Sequence, residues 1–147
     1  MDFRPDIFVV DPDPWRTSVI VEVKTHDAEP PAGILQLKSY MDKMSCPVGV
    51  LITPKRFRIF RHSYASHTPD AVMEIANFPT DAVIEVPSGE LRESAFEDLV
   101  QNWLERLQAW QVRLPDEARR AIEENIVPYL HAAEIRAAHP REHPVAT

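Results

Sequence analysis

Ser18-Val-Ile-Val-Glu-Val-Lys24 is the stretch on which the reading of this chain turns. Its composition has strong strand propensity, and in a strand alternate side chains share a face. Ile20, Glu22 and Lys24 therefore project together, while Val19, Val21 and Val23 pack the other way. An acid and a lysine side by side on a face otherwise given to apolar contact cost desolvation free energy. Upstream, Asp6-Ile-Phe-Val-Val10 is a shorter β-branched and aromatic run. It ends at Asp11-Pro-Asp-Pro14, a loop through which no ladder continues. Antiparallel pairing of the two runs brings Asp6 to the Glu22 end, so that two carboxylates and one ammonium converge. Hard divalent cations such as Mg²⁺ suit that arrangement, since one or two carboxylates plus water and phosphate usually hold them.

Outward from this pair, prolines punctuate the chain. Pro30-Pro31 opens a helix to about Met44, with Ile34, Leu37, Met41 and Met44 on one buried face. Pro47 ends it, and Val48 to Thr53 reads as a buried strand. Pro54-Lys-Arg56 then turns tightly into Phe57-Arg-Ile-Phe-Arg61, a hairpin. Two weaker strands follow, Ala71 to Ile75 and Ala82 to Val86. Ser94 and Glu97 form a capping box for a helix whose Phe96, Leu99, Val100, Trp103, Leu104, Leu107 and Trp110 make a broad apolar face. A last helix spans about Pro115 to Ala138, bent or broken at Pro128, and His139 begins a frayed tail. The order predicts an α/β fold, a central mixed β-sheet flanked by helices with a C-terminal helical extension. The expected organisation is a single domain. It comprises an α/β core over 1–92, helices over 93–138 packed on it or forming a dimer seam, and a tail over 139–147.

Composition narrows the function. The chain has 147 residues, 44% apolar and 27% charged, an ordinary globular profile long enough for one good core. No run approaches the roughly 20 apolar residues of a bilayer span, and the charged opening lacks a signal-peptide cleavage site. A cytoplasmic protein is expected. The single cysteine, Cys46, excludes an internal disulfide and thiolate-rich zinc sites. Three glycines, at 33, 49 and 89, cannot build a phosphate-cradling loop, so no nucleotide cofactor is expected. The net charge of −7 hides a gradient: nine Lys/Arg meet eight Asp/Glu over residues 1–67, and seven meet fifteen over 68–147. Phosphate binding depends on a local patch, and Lys55, Arg56, Arg58 and Arg61 form one.

Pro5-Asp6, a hairpin interval and Glu22-Val-Lys24 together resemble the signature of the PD-(D/E)xK nuclease superfamily. Gln36-Leu-Lys-Ser-Tyr40, on the following helix, is similar to the Q-x-x-x-Y element of its RecB-like and type I restriction-subunit branches. Gln36 and Tyr40 are i and i+4 and share a face separate from Leu37 and Met41. Pro47 to Thr53, the basic turn and Phe57 to Arg61 resemble the apolar strand, basic turn and aromatic-basic strand of the N-terminal nuclease domain of type I restriction R subunits. The resemblance covers residues 4–61. It implies a restriction-endonuclease-like core and Mg²⁺- or Mn²⁺-dependent hydrolysis of DNA phosphodiester bonds, in restriction or repair. On this resemblance Asp6 and Glu22 hold the metal, Lys24 assists the attacking water and the transition state, and Gln36 positions them. Tyr40 and Lys38 position substrate, and Lys55, Arg56 and Arg58 contact the DNA backbone.

Two features depart from the family pattern. Its helix before the aspartate strand, often the source of a further acid, has no counterpart in the five residues ahead of Asp6. Either the protein has lost it, another segment or a partner chain replaces it, or the chain is a portion of something longer. The acidic second half also repels DNA, and no motor motif is present, so the chain is not a complete type I subunit. A second reading is a catalytically inactive nuclease-fold module for nucleic-acid binding or protein assembly, with the 95–110 helix as a homodimer or partner surface. An RNA-directed nuclease is a third. His131, Glu134 and His139 form a weaker metal-ligand set.

Overall fold

The computed structural model describes residues 3–12, 15–25 and 31–138. β1 (Ile7–Pro12) and β2 (Trp15–Val23) pair antiparallel, Ile7 opposite Val21 and Val9 opposite Val19, with a register shift between Val9 and Val10. α1 (Pro31–Lys43) crosses over to β3 (Val48–Ile52), which lies parallel to β2. β4 (Arg56–His62) returns antiparallel to β3, and β5 (Val72–Pro79) pairs antiparallel with β4. The thread then leaves the sheet for α2 (Glu93–Gln108) and α3 (Asp116–Asn125). It comes back as β6 (Glu134–Ala137) on the outer edge of β1. The result is a mixed α/β sheet in the order β5-β4-β3-β2-β1-β6.

The alternation in 18–24 sorts the two faces. Val19, Val21 and Val23, with Ile7, Val9, Val50 and Ile59, bury against Phe96, Val100 and Trp103 of α2 and Ile122 of α3. Ile20, Leu51 and Phe60 bury against Leu37 and Met41 of α1. Gly49 lies under α1, where a methyl group would collide with Met41 Sδ and merely touch Leu37. Gly49→Ala is therefore expected to lower stability by about 1 kcal/mol, because Met41 must leave its rotamer. A lowered urea midpoint at unchanged slope would report it.

Five expectations are corrected. Residues 82–86 form no strand: Thr80–Ala82 is a short 3₁₀ turn anchored by the Thr80 hydroxyl, which donates to the Thr53 carbonyl at 2.7 Å. Burial of Ile84 against the larger core explains the apolar signal there. α2 opens one residue before Ser94, with Arg92 at the N-cap and no side-chain cap bond, so there is no capping box. Trp110, at φ 58, has left the helix and is 77% exposed, and Met44 is also exposed. The final helix stops at Asn125, and 134–137 is a strand. There β1 offers an edge of unpaired backbone groups, and pairing with it outweighs local helix propensity. The expected tail at 139–147 lies outside the described residues. Among the described residues no helix is long and apolar enough to cross a membrane.

His62 is buried and fully engaged. Tyr64 N–H donates to Nδ1 at 2.8 Å, which leaves the ring proton on Nε2 to donate to Asp42 Oδ1 at 2.9 Å. With both nitrogens occupied, the imidazole ties β4 to the end of α1 and is not free to act as a base. His62→Ala is expected to cost about 2–3 kcal/mol by leaving a carboxylate and a backbone N–H unpaired. Chemical denaturation would measure the loss.

Candidate active site

Asp6 stands immediately before β1 and is pinned from three sides. Its N–H donates to Val21 O at 3.0 Å, its carbonyl accepts Ala138 N–H at 2.8 Å, and its Oδ2 accepts Val23 N–H at 2.8 Å. The hairpin register continues past Ile7 and Val21, which sets Asp6 against Glu22. Glu22 shares the α1 side of the sheet with Ile20 and is only 5% exposed. Its Oε2 lies 3.8 Å from Lys24 Nζ, and the lysine side chain is 46% exposed at the rim. The three groups expected to converge from the first two strands do so.

A fourth and a fifth group join them. Glu97, in the second turn of α2, is within hydrogen-bonding reach of Asp6, as Glu22 is, and Glu93 lies one turn earlier. Burial pushes the Glu22 carboxyl up to about 9, with the hydrogen bond and charge of Asp6 adding to the rise and Lys24 opposing it. Burial likewise lifts Glu97 to about 8, with Asp6, Glu93 and Asp98 adding to it. At neutral pH, then, Glu22 and Glu97 keep their protons. Sequence reasoning missed Glu97 because it assigned the residue to a cap. No local signal marks it, because acids in the opening turns of a helix are favoured by the helix dipole.

The remaining predicted site residues are placed differently. Gln36 is exposed on α1, away from the hydrogen bonds that fix Asp6. Tyr40 meets Phe3 edge-on, with ring centroids 5.7 Å apart, and burial raises its phenol above the ordinary range. Lys38 acts on Glu74, on the β5 side of α1, and not on the carboxylates. Glu22, Leu51, Arg58 and Asn77 form one row across four strands, which sets Arg58 about 10 Å from Glu22. Arg58 is bound to Glu74 at 2.7 Å and lies over Phe60, while Arg56 Nε donates to Asn77 Oδ1 at 2.7 Å. Lys55 is exposed at the turn. His131 and Glu134 are also exposed, and His139 lies outside the described residues.

A divalent cation fits this centre by donor chemistry. Asp6, Glu22 and Glu97 offer hard carboxylate oxygens, and a buried, proton-sharing acid cluster is stabilised when a cation replaces its protons. Among the described residues, however, no three His, Cys, Asp or Glu side chains are spaced as ligands of one ion. Comparison with known proteins gives no match to any family model, curated protein or solved structure.

Proposed function

We propose that the chain is a metal-dependent nuclease that hydrolyses phosphodiester bonds in DNA. The observation that carries this reading is the meeting of Asp6, Glu22 and Lys24 at one end of the β1–β2 hairpin, with Glu22 buried and Lys24 open to solvent. The resemblance of Pro5-Asp6 and Glu22-Val-Lys24 to the PD-(D/E)xK signature supports the same chemistry. Asp6 and Glu22 would hold the cation, and Glu97 would add a further acid from the C-terminal side of the sheet. A bound Mg²⁺ or Mn²⁺ would supply Lewis acidity toward the phosphate and lower the pKa of water.

The protein's own groups do the rest. The Val23 N–H fixes the Asp6 carboxylate, so little reorganisation is needed as charge builds on the phosphate. Lys24 keeps its ammonium at the rim, where it stabilises the extra negative charge of the five-coordinate phosphorus and orients the attacking water. Mn²⁺ is expected to bind saturably by calorimetry, and Glu97→Gln to weaken it by about 10- to 100-fold. Absence of saturable binding would favour the second reading, a catalytically inactive module. The observation on that side is the lack of ready-made ligand spacing among the described acids.

A further inference from the structure

The side of β1 that carries Asp6 continues to Phe8, since residues two apart in a strand share a face about 7 Å apart. Beside Phe8 stands Arg136 of β6, and further along Trp15 pairs with Pro12. Phe8, Trp15 and Arg136, with Arg4 and Thr17, line a cavity of about 370 Å³, within the range of ligand sites. Trp15 is 61% exposed, and the Arg136 guanidinium lies 5.0 Å from its ring centroid. Arg4 and Arg136 are exposed.

An indole left this open, beside a cavity, offers a ring face on which a base can stack. Guanidinium groups beside an exposed aromatic ring suit single-stranded nucleic acid, whose phosphates take the charge and whose bases stack. A duplex hides its π-faces in the stack and offers only base edges, so Trp15 selects unpaired bases. Glu134, two residues from Arg136 on β6, reduces the positive field, which leaves stacking to carry much of the affinity. The basic residues of the β4 turn compete poorly for this role, because Arg56 and Arg58 are already bound to Asn77 and Glu74.

We infer that the β1–β2–β6 face is a binding track for single-stranded DNA, with a base stacked at Trp15 and phosphates on Arg136 and Arg4. The strand is led along β1 to Asp6 and Glu22, and this last step rests on the nuclease reading.

Anisotropy of a labelled oligothymidylate, titrated with the full chain in EDTA, tests the track without any metal. Trp15→Ala is expected to weaken binding by roughly 5- to 150-fold, the range of one lost stacking contact, with Trp15→Phe recovering most of it. Arg136→Ala should also weaken it and reduce the salt slope by about one. Trp110→Ala should leave affinity unchanged. Both target side chains are exposed, and circular dichroism would verify that the variants fold. No binding by wild type, equal binding by Trp15→Ala, or tighter binding of a duplex or of oligouridylate would overturn the inference. Strand binding without any Mn²⁺-dependent cleavage removes the nuclease reading and leaves the track. Cleavage that persists in Trp15→Ala with unchanged oligothymidylate affinity does the reverse.

Discussion

Asp6→Asn and Lys24→Ala are each expected to reduce Mn²⁺-dependent cleavage of DNA by about 10²–10³-fold or more while leaving the fold intact. Asparagine keeps a carbonyl oxygen for the Val23 N–H, so the 2.8 Å bond that fixes residue 6 survives. The negative charge that would hold a cation does not. Lys24 is half in solvent, and its ammonium meets Glu22 at a loose 3.8 Å, so its removal costs little folding free energy. The two losses should differ in kind. Asp6→Asn should weaken Mn²⁺ binding, whereas Lys24→Ala should leave the metal bound and lower the rate of the chemical step. Single-turnover cleavage at saturating Mn²⁺, paired with calorimetric titration, separates them. Equal cleavage by wild type and both variants removes the mechanism.

The second large effect is on stability against pH. Glu22 and Glu97 titrate in the folded protein near 9 and 8, against about 4.5 when free. Above 4.5 the unfolded chain releases protons that the folded protein retains. Stability from these groups is therefore full below that value and lost as pH rises through 8 and 9. Each retained proton makes stability fall by at most about 1.4 kcal/mol per pH unit, or about 4–5 °C in Tm for a chain of this length. Glu74 works in the opposite sense: Arg58 holds its carboxyl below the ordinary range, so its contribution is lost in acid. Thermal melts of the metal-free protein should thus decline from mildly acidic to alkaline pH. Glu22→Gln should flatten that decline, since the amide keeps a hydrogen bond to Asp6 without a charge to bury. A Tm that rises steadily to pH about 9 would contradict the buried acid cluster.

What the sequence made legible follows from which residues carry a periodic signal. Val19, Val21 and Val23 against Ile20 and Glu22 fixed the two faces of β2, and the prolines at 31, 47 and 54 bounded α1 and the β3–β4 hairpin. Asp6 and Glu22 were brought together by the same hairpin. The rest depended on long-range contact. Glu134 to Ala137 has no strand signal of its own and becomes β6 only because β1 has an open edge. Glu97 reaches Asp6 because Phe96 and Val100 pack on the valine face, a fact no local window contains. Arg56 and Arg58 looked like a free basic patch because the sequence does not announce that Glu74 and Asn77 will stand opposite them.

The N–H of Ala138 closes on the carbonyl of Asp6, so the chain's sixth residue is clamped by a strand made some 130 residues later. The β1–β2 hairpin is local in sequence, but its Asp6 end is clamped only once β6 docks. Contacts this distant in sequence also form slowly. A polypeptide lacking β6 would therefore leave Asp6 without this backbone clamp.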